Sequence, residues 1–300
     1  MIRVSSGKLA TINIGYRANF QAGQEAALAD NHYERLVTPV PSTTRENEYG
    51  WLKDIPQIRE WVGDRVVNAL AEDGYRIKNK PFELTISVKA DDINDDQHGI
   101  YAPRFRMMGD EVARFPNVLV FSLLKAGFAT DCFDGQFYFD TDHPYTKADG
   151  TLGTQSNYQE GSATPWYLLC TKRPLRPLIW QEREKFDFVA LDRPTDPNVF
   201  MKKELLYGVD GRANVGFGFW QMAVGSKATF DAANFKAARL LMENLLGEHG
   251  KPLNLTPDLF VGPKSLRDTA DELFNTATLS GGGGNPLYKA VDTLYTNYLL

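Results

Sequence analysis

Alternation is the clearest pattern in the chain. Phe82, Leu84, Ile86 and Val88 alternate with Glu83, Thr85, Ser87 and Lys89, the period-two signature of a half-buried strand. Ile58, Trp61, Val62, Val66 and Val67 supply a less regular run, predicted to be its antiparallel mate. Between them, residues 68–80 are polar, with Glu72-Asp73-Gly74 and Asn79-Lys80-Pro81 as turn signals. The pattern therefore predicts a long hairpin over residues 54–90, with too little sequence of its own to bury both faces. Residues 100–127 change period: Phe105, Met108, Val112, Leu119, Leu123 and Leu124 recur mostly three and four apart, predicting an amphipathic helix. Asp95 or Asp96 favours its N-terminal end and Gly127 closes it. Pro116 removes one helical hydrogen bond, which predicts a kink near residues 112–115 or a break into two helices.

Elsewhere the signals are shorter. A helix is expected over residues 20–36, followed by an extended arm where Pro39, Pro41, Ser42, Thr43 and Thr44 forbid regular helix. Such an arm buries little within its own chain and hints at a partner surface. Residues 131–164 are rich in turns, and residues 166–224 read as strands at 166–170, 178–180, 186–191 and 199–207. Asp231 opens a helix to Leu246, with Phe235, Ala238, Met242 and Leu245 on one face and Gly247, Gly250 and Pro252 ending it. A strand at 258–261, a helix begun by Ser265 with Asp268 at capping-box spacing, a Gly281–Gly284 loop and a strand at 291–298 complete a small α/β layer.

Composition narrows the function classes. The chain has 300 residues, 43% hydrophobic and 24% charged, too apolar for disorder and too evenly polar for a membrane span. No run approaches the ~20 apolar residues that cross a bilayer, and the N-terminal stretch lacks the apolar core of a secretory signal. A net charge of −5 with no long basic run argues against sequence-specific DNA binding. Cys132 and Cys170 stand outside any CxxC or Cys/His cluster and read as buried thiols, consistent with synthesis in a reducing cytoplasm.

Candidate chemistry is sparse. Asp140-Thr141-Asp142-His143 holds three potential metal ligands in four residues, but a turn fixed by Asp side chains ahead of Pro144 accounts for them better. A metal-dependent hydrolase using Asp140, Asp142 and His143 is the chemical alternative. Around Asp91–Asp96 an EF-hand fails, because Gln97 stands where its glycine belongs and Pro103 where its glutamate belongs. Gly281–Gly284 lack the Lys and Ser/Thr of a phosphate loop, Gly216-Phe217-Gly218 lacks a third glycine, and no serine sits in GxSxG. No catalytic residue, cofactor or metal is predicted.

An ordered set of motifs then carries a resemblance. Tyr49-Gly50-Trp51-Leu52, Arg59-Glu60-Trp61-Val62-Gly63, Asp91-Asp92-Ile93 and Gly99-Ile100-Tyr101 come first. Leu123-Leu124-Lys125-Ala126-Gly127-Phe128, Asp134-Gly135-Gln136, Phe139-Asp140-Thr141-Asp142-His143-Pro144 and Gly216-Phe217-Gly218-Phe219-Trp220-Gln221 follow. From about Phe20 to the C-terminus the chain resembles the Mu-like phage major head subunit, the T protein family. The resemblance implies the α+β tailed-phage major capsid fold of the Hong Kong 97 type. Its parts would be an N-terminal arm (1–46), an extended loop (47–90), a peripheral domain (91–225) with the spine helix at 100–127, and an axial domain (226–300). One departure is that the β-rich block precedes the α/β block here. The implied function is self-assembly as pentamers and hexamers into an icosahedral shell around double-stranded DNA. Scaffold, portal and a decoration protein are the implied further partners, and the virion is made in the host bacterial cytoplasm with no membrane and no cofactor. An encapsulin-like compartment of the same fold is the alternative. Expected subunit contacts are Trp61, Phe82, Leu84 and Ile86 on the hairpin, with Arg35, Arg59, Arg65 and Arg183 pairing acids across interfaces.

Overall fold

A computed structural model describes residues 6–53, 55, 74–94, 97–278 and 281–300. The chain opens with α1 (Ser6–Ala27), β1 (Val37–Pro41), β2 (Glu46–Tyr49), β3 (Tyr75–Lys78), β4 (Lys80–Lys89), α2 (Ala90–Asn94) and the long α3 (Ala102–Ala126). The middle holds β5 (His143–Thr146), β6 (Leu152–Gln155), β7 (Tyr158–Gln159), β8 (Trp166–Leu169), β9 (Leu178–Leu191), α4 (Pro197–Lys202) and β10 (Glu204–Phe217). It ends with β11 (Ala223–Ser226), α5 (Ala232–Glu243), β12 (Leu259–Pro263), α6 (Arg267–Phe274) and β13 (Asp292–Thr296).

Two sheets organise these elements. The first has the order β1-β9-β10-β4, with β9 and β10 antiparallel over most of their length. Helices α1 and α3 cover it. Their core joins Leu9, Ile12, Tyr16 and Phe20 to Phe105, Met108 and Val112, against Val88, Phe188 and Tyr207 from the strands. Tyr16 stacks on Phe105 at 4.0 Å between ring centroids. The helices approach closely through two glycines. A Cβ at Gly23 would overlap the Arg106 carbonyl, and one at Gly109 would overlap the Phe20 carbonyl. The second sheet has the order β13-β12-β8-β11-β7. β8 and β12 are buried along their whole length, so both faces of this sheet are covered. Its core is aromatic, built on Trp166, Phe230, Phe235, Phe260 and Phe274. The expected limit between residues 225 and 226 falls inside β11, and strands from both sides of it share this sheet.

Several expectations are corrected. The first helix is α1 at Ser6–Ala27 rather than residues 20–36; its buried Leu9, Ile12, Tyr16, Phe20 and Ala27 do keep three- and four-residue spacing. Residues 38–41 of the expected arm lie in β1, which pairs with β9 in the same chain in parallel register. Leu178 N–H donates to the Leu36 carbonyl and Ser42 N–H to the Glu182 carbonyl, so even-numbered positions face β9. Pro39 and Pro41 then face the open edge, where a missing N–H costs nothing in the ladder. β4 forms as expected and pairs on one edge with β10, from Glu204↔Lys89 to Ala213↔Lys80. The proposed mate residues Ile58, Trp61, Val62, Val66 and Val67 lie outside the described residues. α3 runs unbroken past Pro116, whose ring is buried, so no division into two helices occurs. Residues 199–202, expected in a strand, complete α4 instead.

Caps divide the same way. Asp231 caps α5 as expected, its Oδ1 accepting from Asn234 N–H at 2.8 Å. α6 begins at Arg267 with no side-chain cap, so the Ser265 capping box does not form. α3 starts after Tyr101, and Asp95 and Asp96 lie outside the described residues. Finally, the turn ahead of Pro144 is fixed by Asp140, and His143 and Pro144 open β5 just past it.

Candidate assembly surface and the Asp134–His143 cluster

The expected contact residues occupy scattered places. Phe82, Leu84 and Ile86 are half-buried on one face of β4. Phe82 meets Phe115 of α3 edge-on at 4.6 Å, while Leu84 and Ile86 pack on the helix–sheet core. Their alternation thus reads out burial within the chain, with Glu83, Thr85, Ser87 and Lys89 exposed on the other face. Arg35 pairs with Asp292 at 3.0 Å across the molecule, and Arg183 Nε lies 3.6 Å from the adjacent Glu184. Trp61, Arg59 and Arg65 lie outside the described residues. Among the described residues, β4 carries a strand on one edge only.

The base of the 47–90 segment is fixed by one buried amide. Gln181 on β9 is fully buried; its Oε1 accepts from Tyr49 Oη at 2.6 Å and its Nε2 donates to the Ile77 carbonyl at 3.0 Å and Asn79 Oδ1 at 2.8 Å. β2 and β3 are therefore held against β9 by a fully satisfied polar network. A surface missed by the sequence reading lies at the far end of the first sheet. Val189 and Leu191 on β9 are about half exposed, at 49% and 50%, and Phe200 and Met201 on α4 stand at 78% and 76%. Asn198 ties α4 down, donating from Nδ2 to the Leu191 and Glu204 carbonyls. Val199 is buried while Phe200 and Met201 are exposed, the offset of a short helix rather than of the expected strand.

The acid–imidazole grouping that the hydrolase alternative needs at Asp140, Asp142 and His143 does not form. Asp140 accepts from Phe137 and Thr141 N–H, fixing its own turn, and Asp142 is exposed. His143 is fully buried and turns instead to Asp134, with Nδ1 2.7 Å from Oδ2. Its Nε2 lies 3.2 Å from Asn157 Oδ1, and its ring stacks on Trp220 at 3.9 Å, nearly coplanar at 9°. The orientation of Asn157 is fixed because Nδ2 donates to the Tyr138, Trp220 and Ala223 carbonyls. Cys132 Sγ completes the group, 3.1 Å from Asp134 Oδ1.

The electrostatics follow from burial and partners. Burial disfavours the charged form of Asp134, but His143, the Cys132 thiol and the Gln136 N–H together outweigh it and hold the carboxyl below its ordinary range. Burial, reinforced by the Asp134 charge, pushes the Cys132 thiol far up, so it is not a thiolate nucleophile. Asp134 and Trp220 also line a cavity of about 350 Å³ among Tyr49, Gly50, Tyr75, Tyr145 of β5 and Leu246–Glu248. Among the described residues, no helix is long and apolar enough to cross a membrane.

Comparison with known proteins matches this architecture along its length. A sequence model of the "Mu-like prophage major head subunit gpT" family matches residues 9–299. The major capsid protein of Escherichia phage Mu is 40% identical over 305 aligned residues, covering 99% of each chain. The procapsid chain of bacteriophage JBD30 superposes with a TM-score of 0.84 at 40% identity, covering 98% of this chain and 100% of that one. A JBD30 capsid decorated with minor capsid protein trimers gives a TM-score of 0.75 at 32% identity, covering 92% and 93%. The α+β capsid fold of the Hong Kong 97 type, expected from the motifs, is therefore the fold of this chain. Because the match runs through both sheets and both helical layers, the chain belongs to the Mu-like prophage major head subunit gpT family, the major capsid proteins of Mu-like phages.

Proposed function

We propose that this capsid protein assembles as pentamers and hexamers into a closed icosahedral shell that encloses double-stranded DNA, with scaffold and portal as partners during assembly in the host bacterial cytoplasm. The observation that carries the reading is the likeness to the JBD30 procapsid chain over 98% of the present chain. The JBD30 capsid decorated with minor capsid protein trimers supports a decoration protein as a further partner. A net charge of −5 suits a container that must not grip its DNA.

Within this reading, residues 1–46 act as the arm and residues 47–90 as the extended loop. β9 and β10 with α3 form the peripheral part, to which β1 and β4 tie the arm and the loop, and the axial part takes in β7, β8 and β11 together with residues 226–300, since these share one sheet. Trp61, Phe82, Leu84, Ile86, Arg35, Arg59, Arg65 and Arg183 remain proposed contacts through whatever surface the chain's own packing leaves open. The role is structural and not catalytic: Asp140 and Asp142 do not converge on His143, and the nearest thiol is held protonated. An encapsulin-like compartment is less favoured, because the relative at 40% identity over the whole length is a phage head protein.

The test is nuclease treatment of particles purified from cells that make the chain with the other head components. Double-stranded DNA protected inside particles built mainly of this chain is the expected result. Particles free of DNA and filled with a protein cargo would overturn it in favour of the compartment.

A further inference from the structure

We propose that Cys132 Sγ, a carboxylate oxygen of Asp134 and His143 Nδ1 form a binding site for one zinc ion per chain, at the wall of the cavity that Asp134 lines. The ligand atoms of the three residues all lie within 4.8 Å of one another, although Asp134 and His143 are nine positions apart in the chain. The turn that carries two of them is built for convergence. Cys132 N–H donates to the Gln136 carbonyl and Gly135 N–H to the Cys132 carbonyl, with Gly135 at φ +84°. That left-handed position is open to glycine without strain, and it folds the Cys132 and Asp134 side chains to the same side of Phe133.

The surroundings of His143 are those of a metal-bound imidazole. A ligating histidine ordinarily donates its other ring N–H to a fixed acceptor, which sets the tautomer and the ring plane. Here Asn157 cannot offer its amide nitrogen, because that nitrogen already donates to three carbonyls. Its oxygen therefore faces Nε2, which must carry a proton. In the neutral ring this leaves the Nδ1 lone pair directed at Asp134 and Cys132. Trp220, stacked on the ring, blocks its rotation away. The Asp134 carboxylate and the Cys132 sulfur lie on the Nδ1 side, so a bound cation would meet all three donors.

The donor set selects the metal. A thiolate with an imidazole and a carboxylate suits zinc, whereas calcium and magnesium take oxygen ligands alone. Zinc bonds of about 2.0–2.3 Å at tetrahedral angles set ligand atoms roughly 3.3–3.7 Å apart. The 2.7 Å between Nδ1 and Oδ2 must then open slightly, with Asp134 moving toward the cavity. The cavity that Asp134 lines has room for a water as the fourth ligand. The Cys132 thiol proton leaves to solvent as the sulfur–zinc bond forms.

The experiment uses the full chain, stripped with a chelator and titrated first with cobalt(II) and then with zinc. One cobalt per chain is expected, with a near-ultraviolet thiolate-to-cobalt absorption that zinc displaces. Cys132→Ser should remove the absorption and weaken binding about tenfold or more, while Cys170→Ser leaves both unchanged. Zinc should raise the unfolding temperature of the native chain and not that of Cys132→Ser. If Cys132→Ser fails to fold, Asp134→Asn, which keeps the turn and a hydrogen-bonding side chain, should weaken zinc binding in its place. No retained metal, or binding undiminished in the folded variants, would overturn the site and leave the three side chains as a hydrogen-bonded clamp.

Discussion

At the scale of single residues, His143 carries more of the fold than its position before a proline suggests. Its ring meets an acceptor on each nitrogen and a tryptophan face, and it joins the Cys132–Asp134 turn, β5 and the Asn157 hub. Breaking a buried, hydrogen-bonded pair by removing one partner costs about 3–5 kcal/mol. His143→Ala is accordingly expected to lower the unfolding temperature by many degrees, well beyond a modest turn effect, as calorimetry of the purified chain would register. The Asp134 carboxyl is held below its ordinary range in the folded protein. A depressed folded value means the unfolded state takes up the proton first as pH falls. Its stabilisation is thus fully present above the unfolded carboxyl value near 3.8 and is lost as pH drops through the lower folded value. Asp134→Asn should flatten the stability curve across that acid window, measured by denaturant unfolding at successive pH values. An unchanged curve would mean that the pair contributes nothing there. None of this was legible in the sequence: Asp140, Asp142 and His143 are neighbours in the chain, but strand alternation in β5 turns His143 inward beside Asp134.

Among the elements, local rules were legible and pairings were not. The three- and four-residue stripe of α3, the Asp231 cap of α5 and the alternation of β4 each depend on a few neighbouring residues, and each forms. Strand partners depend on distant chain. β4 pairs with residues 204–213 of β10, more than a hundred positions along the chain, while the run expected as its mate lies outside the described residues. Pro39 and Pro41 argued for an arm detached from the body, yet an edge strand tolerates prolines that face outward. α1 was hidden for a different reason: polar Thr11, Asn13, Arg17 and Asn19 dilute a regular Leu9, Ile12, Tyr16, Phe20 stripe. The contact between α1 and α3 also rests on residues with no side chain. Gly23→Ala or Gly109→Ala should each force the helices apart and destabilise the first core by about 1–3 kcal/mol or more. Gly7→Ala, where a Cβ meets nothing, serves as the control in the same chemical denaturation series. Equal stability of all three variants would refute the close crossing.

For the whole molecule, the surfaces left uncovered decide what it can join. Phe200 and Met201 stand out from α4, Val189 and Leu191 from β9, and none of them belongs to the core beneath. Phe200→Ser with Met201→Ser should therefore leave the unfolding temperature nearly unchanged and reduce the yield of assembled particles in sedimentation. Trp61→Ala is expected to behave likewise if the extended loop grips a neighbour through an aromatic anchor, where truncation costs roughly 2 kcal/mol or more. The family was legible from ordered motifs along the chain, while these surfaces were not, because exposure is set by tertiary packing rather than by the residues themselves. One chain is proposed to close a shell by occupying two kinds of ring. Cryo-electron microscopy of particles formed by the full chain with its scaffold would show this. Closed shells are expected, with this fold in both five-fold and six-fold rings. Open sheets, rings of a single size, or a chain that stays monomeric at high concentration would contradict it.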